Sequence, residues 1–333
     1  MISDKIKIAL TESIDSGEFA PGSKLPSRHQ LMKRYRVARA TIDKVLREMT
    51  EAGLVHSVQG GGTYVSGIYE KRLRHIYMIT PSDGWAASSH ADAFKEILEN
   101  MHHQCPATIV SFGDMERRFL RARSQDARLI WDCPGLHYYS LIDSYHMAKT
   151  HQIVINRPHP RYNYAATDTR RGIEKMLKAV GERQAERRVG VLSIRPLPDR
   201  PFLTEREIYF YELAVEMGFH IERVVRSTHF DSSSQADAVY EYFSGPKPPP
   251  LLFVPEISFQ PHLLMMARER KMELGKNLTL MFTDKADSNP GVFSLQQNMK
   301  EMYREALQWA TANTVSPLQR LVDPILHLPI EKS

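Results

Sequence analysis

The chain has 333 residues, of which 42% are hydrophobic and 25% charged, with a formal net charge of +5. That composition excludes a disordered protein, and the length allows two or three domains. No apolar run approaches the roughly 18 to 20 residues that cross a bilayer, so no membrane partner is expected.

The opening stretch MISDKIKIALTESIDSGEF has the four-residue spacing of an amphipathic helix, with Ile6, Leu10 and Ile14 on one stripe. It lacks the apolar core of a signal peptide, so a cytoplasmic location is expected. The helix should end near Gly17. Ser27 and Gln30 have the spacing of a capping box, in which the serine oxygen accepts from the backbone three residues on and the glutamine reaches back. A second helix therefore starts at Ser27, with Leu31, Met32 and Tyr35 facing inward. A third should run from Arg39 to Ala52, burying Ile42, Val45, Leu46 and Met49, with Gly53 as its left-handed cap. Two helices joined across Arg36 and Val37 make a helix-turn-helix.

A strand from Leu54 to Val58, a turn at Gln59-Gly60-Gly61-Gly62 and a strand from Thr63 to Val65 then form a hairpin. Its glycines let the backbone come close to another surface. A nucleotide-type phosphate loop would need a following helix carrying Lys-Ser/Thr, and none follows. The hairpin is read as a wing. Residues 1–74 carry thirteen Lys/Arg against eight Asp/Glu, which is the whole excess of the chain, since the other 259 residues balance at 31 against 31. Positive charge confined in this way fits phosphate contacts and counterion release; the alternative is a merely solvated basic face.

This segment resembles the GntR family of bacterial transcription regulators through Pro21-Gly22, Leu25-Pro26-Ser27, Val37 with Arg39 and Thr41, and Gln59-Gly60 with Gly62-Thr63. The resemblance implies a DNA face made by Arg28 and His29, by Ala38, Arg39, Ala40 and Thr41, and by Gln59 and Gly60 at the wing tip. Two positions depart from the family. Arg28-His29 stands where Glu-Arg is common, and Ala38 replaces the Ser or Thr cap of the recognition helix, a loss of about 1 kcal/mol. Arg39 either forks onto guanine O6 and N7 or clamps a phosphate. Lys33, Arg34, Lys44 and Arg47 are read as phosphate neighbours or solvated groups.

The domain boundaries are expected at 1–67 for the winged helix, 68–74 for a basic linker and 75–333 for the remainder. Beyond the linker, HIYMIT, ATIVSF, RLIWDC, QIVIN, RVGVLS, HIERVV, PLLFVP and NLTLMFT alternate with helical patterns such as Asp92 to His103 and Thr169 to Val180. That alternation predicts a doubly wound α/β architecture with parallel sheets. Some 260 residues are more than one such sheet needs, so two lobes are expected. Cys105 and Cys133 are too few for a disulfide framework and form no CxxC pair for zinc. No metal and no cofactor are expected.

The order of elements resembles the two-lobed, periplasmic-binding-protein-like module of lactose-repressor-type regulators. The matching patterns are Ile155-Asn156-Arg157-Pro158, Ala165 to Gly172, Thr204 to Phe210, Phe282-Thr283-Asp284 and Ser294-Leu295-Gln296-Gln297. The resemblance implies an effector at the carboxyl ends of the strands, consistent with the general rule for open α/β sheets. The effector residues it implies are Trp85, Cys133, Asn156, Arg157, Arg206, Phe230, Glu256, Asp284 and Gln297. Trp85 either stacks on a sugar ring or plugs the lobe interface. Asn156 stands where the family has Asp, Glu256 falls in a Pro-Glu pair where the family has Asn-Asp, and Cys133 falls where some members have Asn. Arg206 and Asp284 either hold ligand or form a structural ion pair. His137, Tyr138 and Tyr139 are further candidates for the lining.

No HExxH, GxSxG, Walker-type lysine or GxGxxG is present, so an enzyme is not expected. The expected protein is a ligand-responsive transcription regulator, acting as a homodimer on double-stranded operator DNA and sensing a sugar or sugar derivative. The other reading keeps the DNA binding and makes the C-terminal part a dimerisation or protein-docking platform.

Overall fold

The computed structural model describes residues 2–15, 18–20, 22–51, 54–58, 60–66, 75–81, 89–101, 107–113, 115, 127–147, 150–198, 200–245, 247–312 and 316–330. Its contacts divide the chain into two units, Met1–Arg74 and His75–Ser333. The expected linker at 68–74, Gly17, Gly53, Gln59, Trp85 and Cys105 lie outside the described residues.

The first unit comprises α1 (Ile2–Asp15), α2 (Arg28–Tyr35), α3 (Arg39–Glu51), β1 (Val55–Val58) and β2 (Gly62–Val65). Ile6, Leu10 and Ile14 of α1 pack with Leu31 of α2, with Ile42, Val45, Leu46 and Met49 of α3, and with Val55 and Val65 of the hairpin. Met32 and Tyr35 are partly buried against the same core. The capping box at Ser27 is complete: its Oγ accepts from the Gln30 N–H at 3.3 Å, and its own N–H donates to Gln30 Oε1 at 2.8 Å. β1 and β2 pair antiparallel with Val58 opposite Gly62. Lys24 adds a bridge to Tyr64 that the sequence reading did not contain.

The second unit has two lobes. In the first, β3 (His75–Thr80), β4 (Ala107–Ser111), β5 (Ala127–Asp132), β6 (His151–Ile155) and β7 (Asn163–Thr167) are accompanied by α4 (Ser89–Asn100) and α5 (Tyr139–Met147). The second contains α6 (Thr169–Arg183), β8 (Arg188–Ile194), α7 (Pro201–Glu216), β9 (His220–Ser227), α8 (Ser232–Ser244), β10 (Leu251–Val254), α9 (Gln260–Glu269), β11 (Thr279–Phe282) and β12 (Val292–Gln296). The chain then returns to the first lobe through α10 (Met299–Thr311) and β13 (Gln319–Val322), and ends in the second with β14 (Ile325–His327).

Among the described residues, one sheet runs β13-β7-β6-β5-β3-β4 and the other β14-β12-β11-β10-β8-β9. All pairs in the first are parallel. In the second, the edge strand β14 runs antiparallel to β12 while its other pairs are parallel, within the parallel-sheet architecture expected. The direction follows from the topology: β12 runs toward the second crossing, whereas β14 leaves the third crossing directly after β13, so the two strands run in opposite senses. β5 is buried along its whole length, as a central parallel strand covered on both faces must be.

Three crossings therefore join the lobes: after β7, after β12 and after β13. The first is pinned by Asp168, which caps α6 by accepting from the Arg171 N–H at 3.0 Å. The second is pinned by Asn298, which caps α10 through the Glu301 N–H at 3.2 Å. At the third, a Cβ on Gly172 would meet Pro324 Cγ at 2.4 Å. Only glycine lets α6 lie that close to the last crossing.

Candidate functional site

On the first unit, Asp43 organises the expected DNA face. Its carboxylate receives Arg28 Nε at 2.6 Å and lies 3.6 Å from Arg39 Nε, so one acid on α3 serves the first residue of each helix of the motif. Arg39 remains 73% exposed at its side chain, and His29, Ala38 and Ala40 are exposed beside it, with Thr41 half-buried. The Ala38 carbonyl accepts from the Thr41 N–H at 3.0 Å, so α3 starts there without a side-chain oxygen to help. Gly60 is exposed with φ 74°, and Gly62 has φ 115°. Lys44 and Arg47 make i,i+4 pairs with Glu48 and Glu51, and Arg34 reaches Glu18. Lys33 is exposed, and among the described residues it has no carboxylate partner.

On the second unit, the expected effector residues gather where the strands of both lobes end. Asn156 follows β6 with φ 55°, and Cys133 follows β5 with φ 47°. Asn tolerates the left-handed region better than other L residues; cysteine there is unusual and costs on the order of 1 kcal/mol. The Cys133 N–H donates to the Ile155 carbonyl at 3.2 Å, so the two strand ends turn together. Burial, with the Asp132 carboxylate beside it, pushes the Cys133 thiol well above its ordinary range. This environment favours the neutral thiol over the thiolate.

The Asn156 side chain makes three hydrogen bonds. Its Oδ1 accepts from the Thr167 hydroxyl at 2.8 Å and from the Thr167 N–H at 3.2 Å, and its Nδ2 donates to Gln297 Oε1 at 2.7 Å. Gln297 Nε2 in turn lies 3.5 Å from Asp284 Oδ1. Asp284 takes both ends of the Arg206 guanidinium, at 2.7 and 2.9 Å. Arg206 also donates to the Pro255 carbonyl at 2.9 Å, and Thr283 Oγ1 donates to the same carbonyl at 2.8 Å. A continuous polar chain thus runs from β7 of one lobe to α7 and β10 of the other. The two groups expected to face ligand, Arg206 and Asp284, meet each other.

Arg157 donates from Nη1 to its neighbour's carbonyl, Asn156 O, at 2.7 Å, and its guanidinium carbon lies 4.6 Å from the centre of the Phe202 ring. Arg206 lies 5.1 Å from the same ring. Phe202, at the start of α7, is a residue the sequence reading missed. The Pro-rich approach to it, RPLPDRP, was the available signal that a rigid loop delivers a side chain there. Phe230 is 37% exposed, with the Arg200 guanidinium 3.8 Å from its ring centre. Glu256 is buried and accepts from the Ser258 N–H at 3.2 Å, capping a short 3-10 turn at Ile257–Phe259. Tyr139 lies near Arg157, and burial pushes its phenol up. It belongs to a ring cluster with His159 and Tyr162. His137 stacks on Tyr138, which packs on Phe112. Among the described residues no group of three or more His, Cys, Asp or Glu could hold a metal, and no helix is long and apolar enough to cross a membrane.

Residues 2–65 match the family described as bacterial regulatory proteins, gntR family. The first unit is a GntR-type winged helix-turn-helix. A 98-residue stretch is 35% identical to the mannosyl-D-glycerate transport/metabolism system repressor MngR of Escherichia coli K12, covering 29% of this chain and 38% of that protein. Another, of 63 residues, is 40% identical to the histidine utilization repressor of Klebsiella aerogenes, covering 19% and 26%. The chain therefore spans well under half the length of these relatives.

The second unit has the lactose-repressor-type fold. A regulatory protein of the LacI family from Chloroflexus aggregans superposes with a TM-score of 0.63 at 14% identity, covering 76% of this chain and 97% of that one. The transcriptional regulator CelR in complex with cellobiose superposes at 0.57 and 14% identity, covering 88% and 90%. The chain thus joins a GntR-type winged helix to a LacI-type two-lobed body, and the proteins it is similar to are regulators of transcription, not enzymes.

Proposed function

We propose that this chain is a DNA-binding transcription regulator, of repressor type, whose two-lobed unit senses a small sugar-like effector. The observation that carries the reading is the winged helix itself: its third helix begins at an exposed Arg39 that lies 3.6 Å from Asp43, and residues 2–65 match the family described as bacterial regulatory proteins, gntR family. The basic excess of the same segment favours a polyanion as partner. The fold of the second unit is shared with a cellobiose-bound regulator, and one relative of the first unit is named for a mannosyl sugar acid; both support a sugar or sugar derivative as the input.

In this reading Arg28, His29, Ala38, Arg39, Ala40, Thr41, Gln59 and Gly60 meet DNA. Cys133, Asn156, Arg157, Arg206, Phe230, Glu256, Asp284, Gln297 and Trp85 surround the effector. The working form is a homodimer in the cytoplasm on an inverted-repeat operator, since two-fold protein symmetry is mirrored in the DNA it reads. Selection of DNA from a random pool by the full chain tests the first part: recovery of a two-fold-symmetric sequence supports it, and unselective retention contradicts it.

A second reading has one observation in its favour. Arg206 and Asp284 hold each other in a bidentate pair, as a docking platform without a ligand would allow. Thermal shift across a panel of sugars and their acids separates the two, because a ligand that binds the native state raises the melting temperature.

A further inference from the structure

We propose that the effector is an anion, a small polyol bearing a carboxylate or a phosphate, and that Arg157 receives its charged oxygens. This inference rests on the reading of the cleft as an effector site.

The charge accounting at the cleft is one-sided. Each carboxylate there is already answered. Asp284 holds Arg206 on both oxygens, Asp132 accepts from the Tyr303 hydroxyl at 3.1 Å, and Glu256 accepts from the Ser258 N–H. Arg157 is different. Its one hydrogen bond in the described structure goes to a neutral carbonyl, and among the described residues no carboxylate lies within salt-bridge distance of it.

A guanidinium has five N–H donors, so one bond leaves most of its fork unused. The centre of the Phe202 ring lies 4.6 Å from the guanidinium carbon, a contact that occupies the face of the group and makes no use of its N–H donors. The half-buried position also removes part of its hydration, which raises the value of a counter-charge. Carboxylate and phosphate match the fork in geometry as well as sign. A neutral sugar offers hydroxyl acceptors to the fork but no counter-charge. The anion is therefore expected to bind on the Arg157 side of Phe202, clear of the closed Arg206–Asp284 pair.

The test uses the full chain and matched probes: glucose, glucuronate and glucose 6-phosphate; ribose and ribose 5-phosphate; and inorganic phosphate. Binding is read by calorimetry on the wild type, Arg157→Gln and Arg157→Lys, with the melting temperature of each unliganded variant as the folding control. An acid or phosphate is expected to bind at least about tenfold tighter than its neutral parent. Arg157→Gln should erase that difference, and Arg157→Lys, which keeps the charge without the fork, should restore part of it. Phosphate esters preferred over uronate identify phosphate as the source, and the reverse order identifies carboxylate. Neutral sugars binding as well as their acids, or an anion bound equally by wild type and Arg157→Gln, would overturn the inference while the sensor reading stands. No binding by any probe would count against both.

Discussion

Asn156 donates from Nδ2 to Oε1 of Gln297 at 2.7 Å, across 141 positions of sequence, and so ties the end of β6 in one lobe to the second crossing between the lobes. The bond matters because the same asparagine also holds Thr167 at the first crossing. One side chain thus reads the position of two of the three connections on which the lobes can bend.

Removing it should be costly. Asn156→Ala leaves the Thr167 donors and Gln297 without their partner and is expected to destabilise the chain by about 2 kcal/mol. A double-mutant cycle with Gln297→Ala, read by urea unfolding, should give a coupling of about 1 kcal/mol between the two positions. Strict additivity would mean that the link is incidental.

The Arg206–Asp284 pair should be asymmetric. Arg206 is 7% exposed at its side chain and Asp284 24%. Asp284→Ala strands a buried cation and is expected to cost about 3 kcal/mol, whereas replacing both residues by apolar ones of similar volume should cost much less. Equal losses in the single and double variants would contradict this.

On the DNA side, Arg39→Ala is expected to lower affinity for the selected sequence by about 1–3 kcal/mol and to relax its sequence preference. Lys33→Ala should weaken binding to all sequences alike and reduce the slope of log K against log salt by about one. Fluorescence anisotropy at several salt concentrations distinguishes these outcomes. At the wing, Gly62→Ala places a side chain where φ is 115° and should lose on the order of 1 kcal/mol of stability in the first unit, seen as an earlier melting step.

His75, at the start of β3, gives a pH prediction. Burial lowers its pKa below the ordinary histidine value, and its Nε2 lies 2.7 Å from Thr108 Oγ1. A histidine depressed in the folded state contributes stability that is present above its unfolded pKa, about 6.5, and lost as pH falls below that value. Unfolding free energy should therefore decline from pH 7 towards pH 5. The decline should be shallower in His75→Gln, which keeps a side-chain amide for Thr108.

Much of this architecture could be read from residue patterns because the signals were local. The Ser27–Gln30 box, the stripe of Ile6, Leu10 and Ile14, and the buried runs such as RLIWDC follow from short-range chemistry, and the structure places each as expected. β7, β13 and β14 were harder to see, because NYAAT, QRLV and ILH are short and partly polar, and β13 finds its partner β7 more than a hundred positions away. The site divided along the same line. Resemblance to a family pointed to Arg206 and Asp284, but that the two would satisfy each other depends on how α7 and β11 pack. The roles of Phe202 and Asp43 likewise required the tertiary structure.

In the proposed function, a small molecule bound in the second unit changes how the first unit holds DNA. The direct measurement is the dissociation constant of the full chain for its selected duplex, by anisotropy at fixed salt, with and without a saturating ligand found by thermal shift. The account predicts a change of about 5- to 150-fold, the ordinary range for coupled sites. Identical constants in the presence and absence of a demonstrably bound ligand would contradict it.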